Sequence, residues 1–153
     1  MRLILVRHGE ALPGPEDFKR PLSPGGRRHI QELARYFKTL PLSGIEILHS
    51  DRFRAVETAR ILADTLGIQS LRADAGLSPN GRYMQLIDNI KVMAIERPSL
   101  ILLVVGHLPF LGDMAEVLLA GKRVSFLPAT AAGLSSEVSG SWRLDFIRSP
   151  ADA

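Results

Sequence analysis

Leu100-Ile101-Leu102-Leu103-Val104-Val105 is an unbroken apolar run, and Gly106-His107-Leu108-Pro109 ends it. Six apolar residues without alternation are too few for an ordinary helix and fit a strand covered on both faces. Such strands lie at the centre of parallel sheets. A polar residue interrupting the run at its carboxyl end then sits where open α/β sheets bind ligands. The same grammar opens the chain: Leu3-Ile4-Leu5-Val6 runs into Arg7-His8-Gly9-Glu10. If the two strands are parallel neighbours, His8 and His107 emerge at one edge and converge.

The segments around these two runs alternate between strand and helix patterns. Ser23-Pro24 reads as a helix N-cap followed by proline in the first turn, with Ile30, Leu33, Ala34 and Phe37 on one face. Ile45 to Leu48 is the next expected strand. Ser50 or Asp51 is expected to cap a helix whose inner face is Ala55, Ala59, Leu62, Ala63 and Leu66, ending at Gly67. Ile68 to Leu71 reads as a short strand. Ser78-Pro79 is expected to start a helix bearing Tyr83, Leu86, Ile87, Ile90 and Met93, and Pro109 one bearing Phe110, Met114, Val117 and Leu118, ended by Gly121. Leu134 to Val138 and Trp142 to Ile147 flank Ser139-Gly140 as a hairpin. The expected fold class is α/β, a three-layer α/β/α arrangement with a mostly parallel sheet and an antiparallel C-terminal hairpin. With no linker or repeat, a single domain over 1–153 is expected.

Composition removes several function classes. The 153 residues contain no cysteine, which rules out thiol nucleophiles, disulfides and zinc-thiolate sites. The net charge of +3 raises nucleic acid as a partner, but the basic residues are scattered, with Arg27-Arg28 the longest run and no aromatic residues interleaved. No apolar stretch approaches the roughly 20 residues that span a bilayer, and Leu3 to Val6 is too short for a signal core. A cytoplasmic location is expected, with neither nucleic acid nor membrane as partner. Only Lys19, Lys38, Lys91 and Lys122 are lysines, so the other 15 basic residues are arginines, the better group for bidentate phosphate recognition.

Four motifs in order carry a resemblance. Arg7-His8-Gly9-Glu10-Ala11, Arg20-Pro21-Leu22-Ser23-Pro24-Gly25-Gly26, Ser50-Asp51-Arg52-Phe53-Arg54-Ala55-Val56-Glu57-Thr58-Ala59 and Val105-Gly106-His107-Leu108-Pro109 match segments of one family at fitting spacing. The chain resembles the histidine phosphatase (phosphoglycerate mutase-like) superfamily, in its short branch of SixA-type phosphohistidine phosphatases, from Arg2 to about Leu144. The resemblance implies a hydrolase without cofactor or metal, in which His8 attacks phosphorus and forms a phosphohistidine intermediate. It implies that Arg7, Arg20, Arg54 and His107 hold the phosphoryl oxygens, with Glu10 as possible support for His8. Cationic neighbours would also disfavour the imidazolium form of His8.

Three departures from the family pattern bear on chemistry. Asp51 stands where relatives usually have proline, and Glu57 where they have glutamine. Gly76 occupies the position matched to an acidic proton donor, which leaves Asp74, Asp88 and Glu10 as alternatives, each with an ordinary structural use. Arg54 could equally form an i,i+3 surface pair with Glu57. The short branch lacks lid-forming insertions, so phosphohistidine on a signalling or phosphotransfer protein is the expected substrate. A small phosphate ester is the alternative. A non-catalytic phosphoprotein-binding module is disfavoured by the paired histidines. A metal site built from His8, Glu10 and His107 is disfavoured by the surrounding arginines.

Overall fold

The computed structural model describes residues 1–150. Six strands form one sheet: β1 (Arg2–Arg7), β2 (Ile45–His49), β3 (Ser70–Ala73), β4 (Ile101–Gly106), β5 (Ala131–Ser136) and β6 (Trp142–Arg148). Their order across the sheet is β3-β2-β4-β1-β5-β6. The first four run parallel, whereas β5 pairs antiparallel with β1 and β6 with β5. Four helices cover the faces: α1 (Pro24–Lys38), α2 (Phe53–Leu66), α3 (Tyr83–Glu96) and α4 (Phe110–Leu118). This is the expected three-layer architecture.

Strand alternation divides the core between the two faces. Leu3 and Leu5 of β1, with Leu102 and Val104 of β4, pack with Leu86, Ile87 and Ile90 of α3 and with Leu111 and Met114 of α4. Ile4 and Val6, with Leu103 and Val105, pack with Ile30, Leu33 and Phe37 of α1 and with Ala59 and Leu62 of α2. Every residue of β4 is buried, as a strand with helices on both faces requires.

Several element boundaries depart from the expected ones. Ser23 does cap α1, its hydroxyl accepting from Gly26 N–H at 2.9 Å. Gly67 closes α2 in the left-handed region at φ 69°. Neither Ser50 nor Asp51 caps α2, which starts at Phe53 with Arg52 in the cap position. Ser78-Pro79 does not open α3, which begins at Tyr83; a single 3-10 turn, Ala75–Leu77, takes up the chain before it. The third strand lies two residues later than expected, at Ser70–Ala73. Helix α4 ends at Leu118, short of Gly121, and it buries Leu111 and Ala115 where Phe110 and Val117 were expected. Among the described residues no helix is long and apolar enough to cross a membrane.

Candidate active site

Register brings the two histidines together. Arg7 of β1 lies opposite Gly106 of β4, so the next residues along the parallel pair are His8 and His107. The His8 N–H donates to the Gly106 carbonyl at 3.2 Å, and the two rings are 5.0 Å apart between centroids.

The His8 ring is oriented by its own loop. Nδ1 lies 2.7 Å from the Gly9 carbonyl oxygen, an acceptor only, so Nδ1 carries the proton. Burial lowers the His8 pKa to about 4; the Gly9 bond works the other way, and the charges of Arg54, Arg7 and Arg20 add to the lowering. At neutral pH the ring is therefore uncharged, with the proton on Nδ1 and the lone pair on Nε2. Gly9 N–H is in turn held by Thr58 Oγ1 at 3.1 Å, and the Thr58 hydroxyl donates to the Arg54 carbonyl at 2.8 Å. Thr58 thus ties the His8 loop to the first turn of α2. The third motif contains Thr58, but nothing in its residue type marked this role.

His107 is nearly fully buried. Its Nε2 lies 2.7 Å from Ser50 Oγ, which also accepts from Arg52 N–H at 3.2 Å. Its Nδ1 is buried with no hydrogen-bond partner. Burial lowers its pKa to about 3, helped by His8, Arg54 and Arg52. Ser50, expected as a helix cap, serves instead as the partner of this ring.

The arginines reach the same edge from three segments. Arg7 Nη1 donates to the Phe126 carbonyl at 3.0 Å, and its Nε is buried without a partner. Arg54, also buried, donates from Nη1 to the Asp17 carbonyl at 2.9 Å and from Nη2 to the Asp17 carboxylate at 3.4 Å. Arg20 donates to the Leu12 carbonyl at 2.9 Å and to the Asp17 carboxylate at 3.2 Å. Asp17, in the 3-10 turn Asp17–Lys19, therefore organises the cationic cluster, and sequence reasoning did not single it out. Partial burial works against its charged form. The Arg20 hydrogen bond and the Arg54 charge outweigh that and hold its pKa below the ordinary carboxylate value.

The acidic residues weighed as proton donors or supports have other partners. The Glu10 carboxylate accepts from the Ser23 hydroxyl at 3.1 Å, so it buttresses the α1 cap, while the His8 ring bonds to Gly9. Asp74 accepts from Gly76 N–H at 2.8 Å and caps the turn that follows. Asp88 is exposed on α3. Glu57 does not pair with Arg54: it accepts from Leu22 N–H at 2.8 Å and forms an ion pair with Arg27. One Asp51 carboxylate oxygen is buried with no hydrogen-bond partner. The Arg20–Gly26 segment fits against the His8 loop because Gly26 has no side chain; a Cβ there would run into the main chain of Glu10.

Comparisons with known proteins show the family and the fold. The family model of the histidine phosphatase superfamily (branch 1) matches residues 3–89. A phosphohistidine phosphatase SixA homolog of Haemophilus influenzae is 31% identical over 145 residues, covering 88% of this chain and 87% of that protein. The solved structure of the protein histidine phosphatase SixA complexed with tungstate superposes with a TM-score of 0.91 at 25% identity, over 99% of each chain. A mycobacterial glucosyl-3-phosphoglycerate phosphatase shares the fold, with a TM-score of 0.72 at 18% identity over 94% of this chain and 96% of that one. With paired strand-end histidines in an arginine frame and a family match over most of its first two-thirds, the chain belongs to branch 1 of the histidine phosphatase superfamily, a superfamily of hydrolytic phosphatases.

Proposed function

We propose that this phosphatase works through a covalent phosphohistidine on His8 Nε2 and acts on phosphohistidine carried by another protein. The observation that carries the proposal is the 2.7 Å bond from His8 Nδ1 to the Gly9 carbonyl, which fixes the tautomer and leaves Nε2 as an uncharged nucleophile. The Nε2 lone pair attacks phosphorus as the bond to the leaving nitrogen breaks, and the substrate ring, protonated on its other nitrogen, departs as neutral imidazole. Water then attacks phosphorus, the Nε2–phosphorus bond breaks with its electron pair returning to Nε2, and neutral His8 and inorganic phosphate, which keeps the water's protons, are left. Arg7, Arg20 and Arg54 offset the charge on the non-bridging oxygens. His107 contributes a neutral donor: with the Ser50 hydroxyl donating to Nε2, the ring proton lies on Nδ1, its unpartnered nitrogen.

The substrate class follows from leaving-group chemistry. An alkoxide leaving from an ester needs a positioned acid, worth roughly 100- to 10,000-fold. Gly76 holds the matched position, and the neighbouring Asp74 carboxylate is engaged in its cap. Imidazole leaves far more readily, so an N–P substrate suits this site. The name of the Haemophilus influenzae relative supports the same reading.

The test compares kcat/KM for a histidine-phosphorylated protein, an aryl phosphate and a sugar phosphate, and maps the adduct after rapid quench. The expected order is phosphohistidine first and sugar phosphate last, with a base-stable, acid-labile phosphate on His8 that is absent from His8→Ala. A sugar phosphate as the best substrate would move the assignment to small esters. Phosphate on another residue would remove His8 as nucleophile.

A further inference from the structure

Large apolar side chains stand exposed beside each of the phosphate-site residues. Leu12 offers the carbonyl that Arg20 donates to. Phe18 follows Asp17 and carries the Arg52 guanidinium over its ring, 5.0 Å from the centroid. Phe53 immediately precedes Arg54, Leu108 follows His107, and Leu127 follows the Phe126 whose carbonyl holds Arg7. These five side chains are 42–54% exposed. They come from four separate segments of the chain, three loops and the first residue of α2, and Leu12 and Phe18 touch the cationic cluster directly. Singly exposed apolar residues are ordinary on a protein surface, but a set gathered around one polar centre marks an interaction site.

Resting on the reading of a protein-borne substrate, we propose that Leu12, Phe18, Phe53, Leu108 and Leu127 form a docking collar for the apolar surface that surrounds a phosphohistidine on a folded partner. Charge complementarity identifies the occupant. The centre gathers Arg20, Arg52 and Arg54 around the carboxylate of Asp17, and Arg7 adds a further charge beside His8, which leaves it cationic and matched to a phosphoryl dianion. A sugar phosphate surrounds its phosphorus with hydroxyls, for which an apolar collar has no use. A protein that presents phosphohistidine within an apolar patch satisfies both zones at once, and the collar excludes water from the charged contact.

The experiment separates docking from chemistry. Wild type, Phe18→Ser/Phe53→Ser and, from a different loop, Leu127→Ser are assayed on two probes. One is a set of histidine-phosphotransfer domains phosphorylated with potassium phosphoramidate, and the other is free phosphohistidine. The double variant is expected to lose roughly tenfold or more in kcat/KM on the phosphodomains, through KM, with Leu127→Ser losing less. Both variants should stay within about twofold of wild type on free phosphohistidine. Equal losses on the two probes, or no loss on the phosphodomains, would overturn the collar while leaving the protein-substrate reading intact. Wild type that cleaves free phosphohistidine but none of the phosphodomains would overturn that reading and the collar with it.

Discussion

Asp17 holds Arg54 in two ways: its main-chain carbonyl accepts from Nη1 at 2.9 Å, and its carboxylate lies 3.4 Å from Nη2. The first contact survives any side-chain change, so it alone can keep the guanidinium in place. The second places a negative charge among donors that a phosphoryl group also needs. Asp17→Asn should therefore leave the fold intact and tighten inhibition by inorganic phosphate by about two- to tenfold. The gain is modest because the carboxylate is half-exposed and screened. The check is the phosphate inhibition constant for the two proteins. Weaker inhibition in the variant would make the carboxylate itself the element that positions Arg54.

Under the proposed function, Arg54→Ala should lose charge-assisted hydrogen bonds worth roughly 1.5–3 kcal/mol in the transition state, a drop of about 10- to 150-fold in kcat/KM. Arg54→Lys should recover only part of it, because an ammonium cannot keep both Asp17 contacts and still grip a phosphoryl oxygen. The measurement is kcat/KM on an aryl phosphate. Full recovery by lysine would show that charge alone matters at this position.

Glu57 stands where relatives have glutamine, and its structural task explains why either residue serves. The Leu22 N–H needs an acceptor, and Arg27 balances the extra charge. Glu57→Gln should be close to wild type. Glu57→Ala leaves that N–H without its partner and loosens the segment that carries Arg20, so KM should rise severalfold while kcat changes little. Steady-state kinetics of the two variants decide it.

Activity and stability should begin to fall at different points as pH is lowered. His8 titrates near 4, so kcat/KM on an aryl phosphate, corrected for substrate ionisation, should keep its activity well below pH 6.5 before falling. Stability behaves differently. Above pH 6.5 both histidines are neutral in the folded and unfolded chain and contribute nothing. Below 6.5 the unfolded chain takes up protons that His8 and His107 refuse while folded, down to about 4 and 3. Melting temperature should therefore decline from pH 6.5 to 4, and less steeply in His107→Asn. An unchanged slope would place the His107 pKa at its ordinary value.

Short-range pattern was enough for much of this protein. The apolar runs ending in Arg7-His8-Gly9 and Gly106-His107, the Ser23-Pro24 helix start and the hairpin about Ser139-Gly140 are local signals, each written within a few residues. They carry the α/β class and the place of both histidines at the ends of parallel strands. At Ser78-Pro79 the same kind of signal misled, because serine followed by proline suits a loop entering a 3-10 turn as well as a helix start. Only the tertiary structure decided which atoms meet at the site. Parallel register sets His8 beside His107 across 99 positions of chain. The Asp17 bond to Arg54 spans 37 residues, the Ser50 bond to His107 spans 57, and the Phe126 bond to Arg7 spans 119. Such partners have no period and no spacing of their own. They are chosen by how strands align and how loops close over the sheet edge, where each buried donor takes whichever acceptor the packed chain brings within reach.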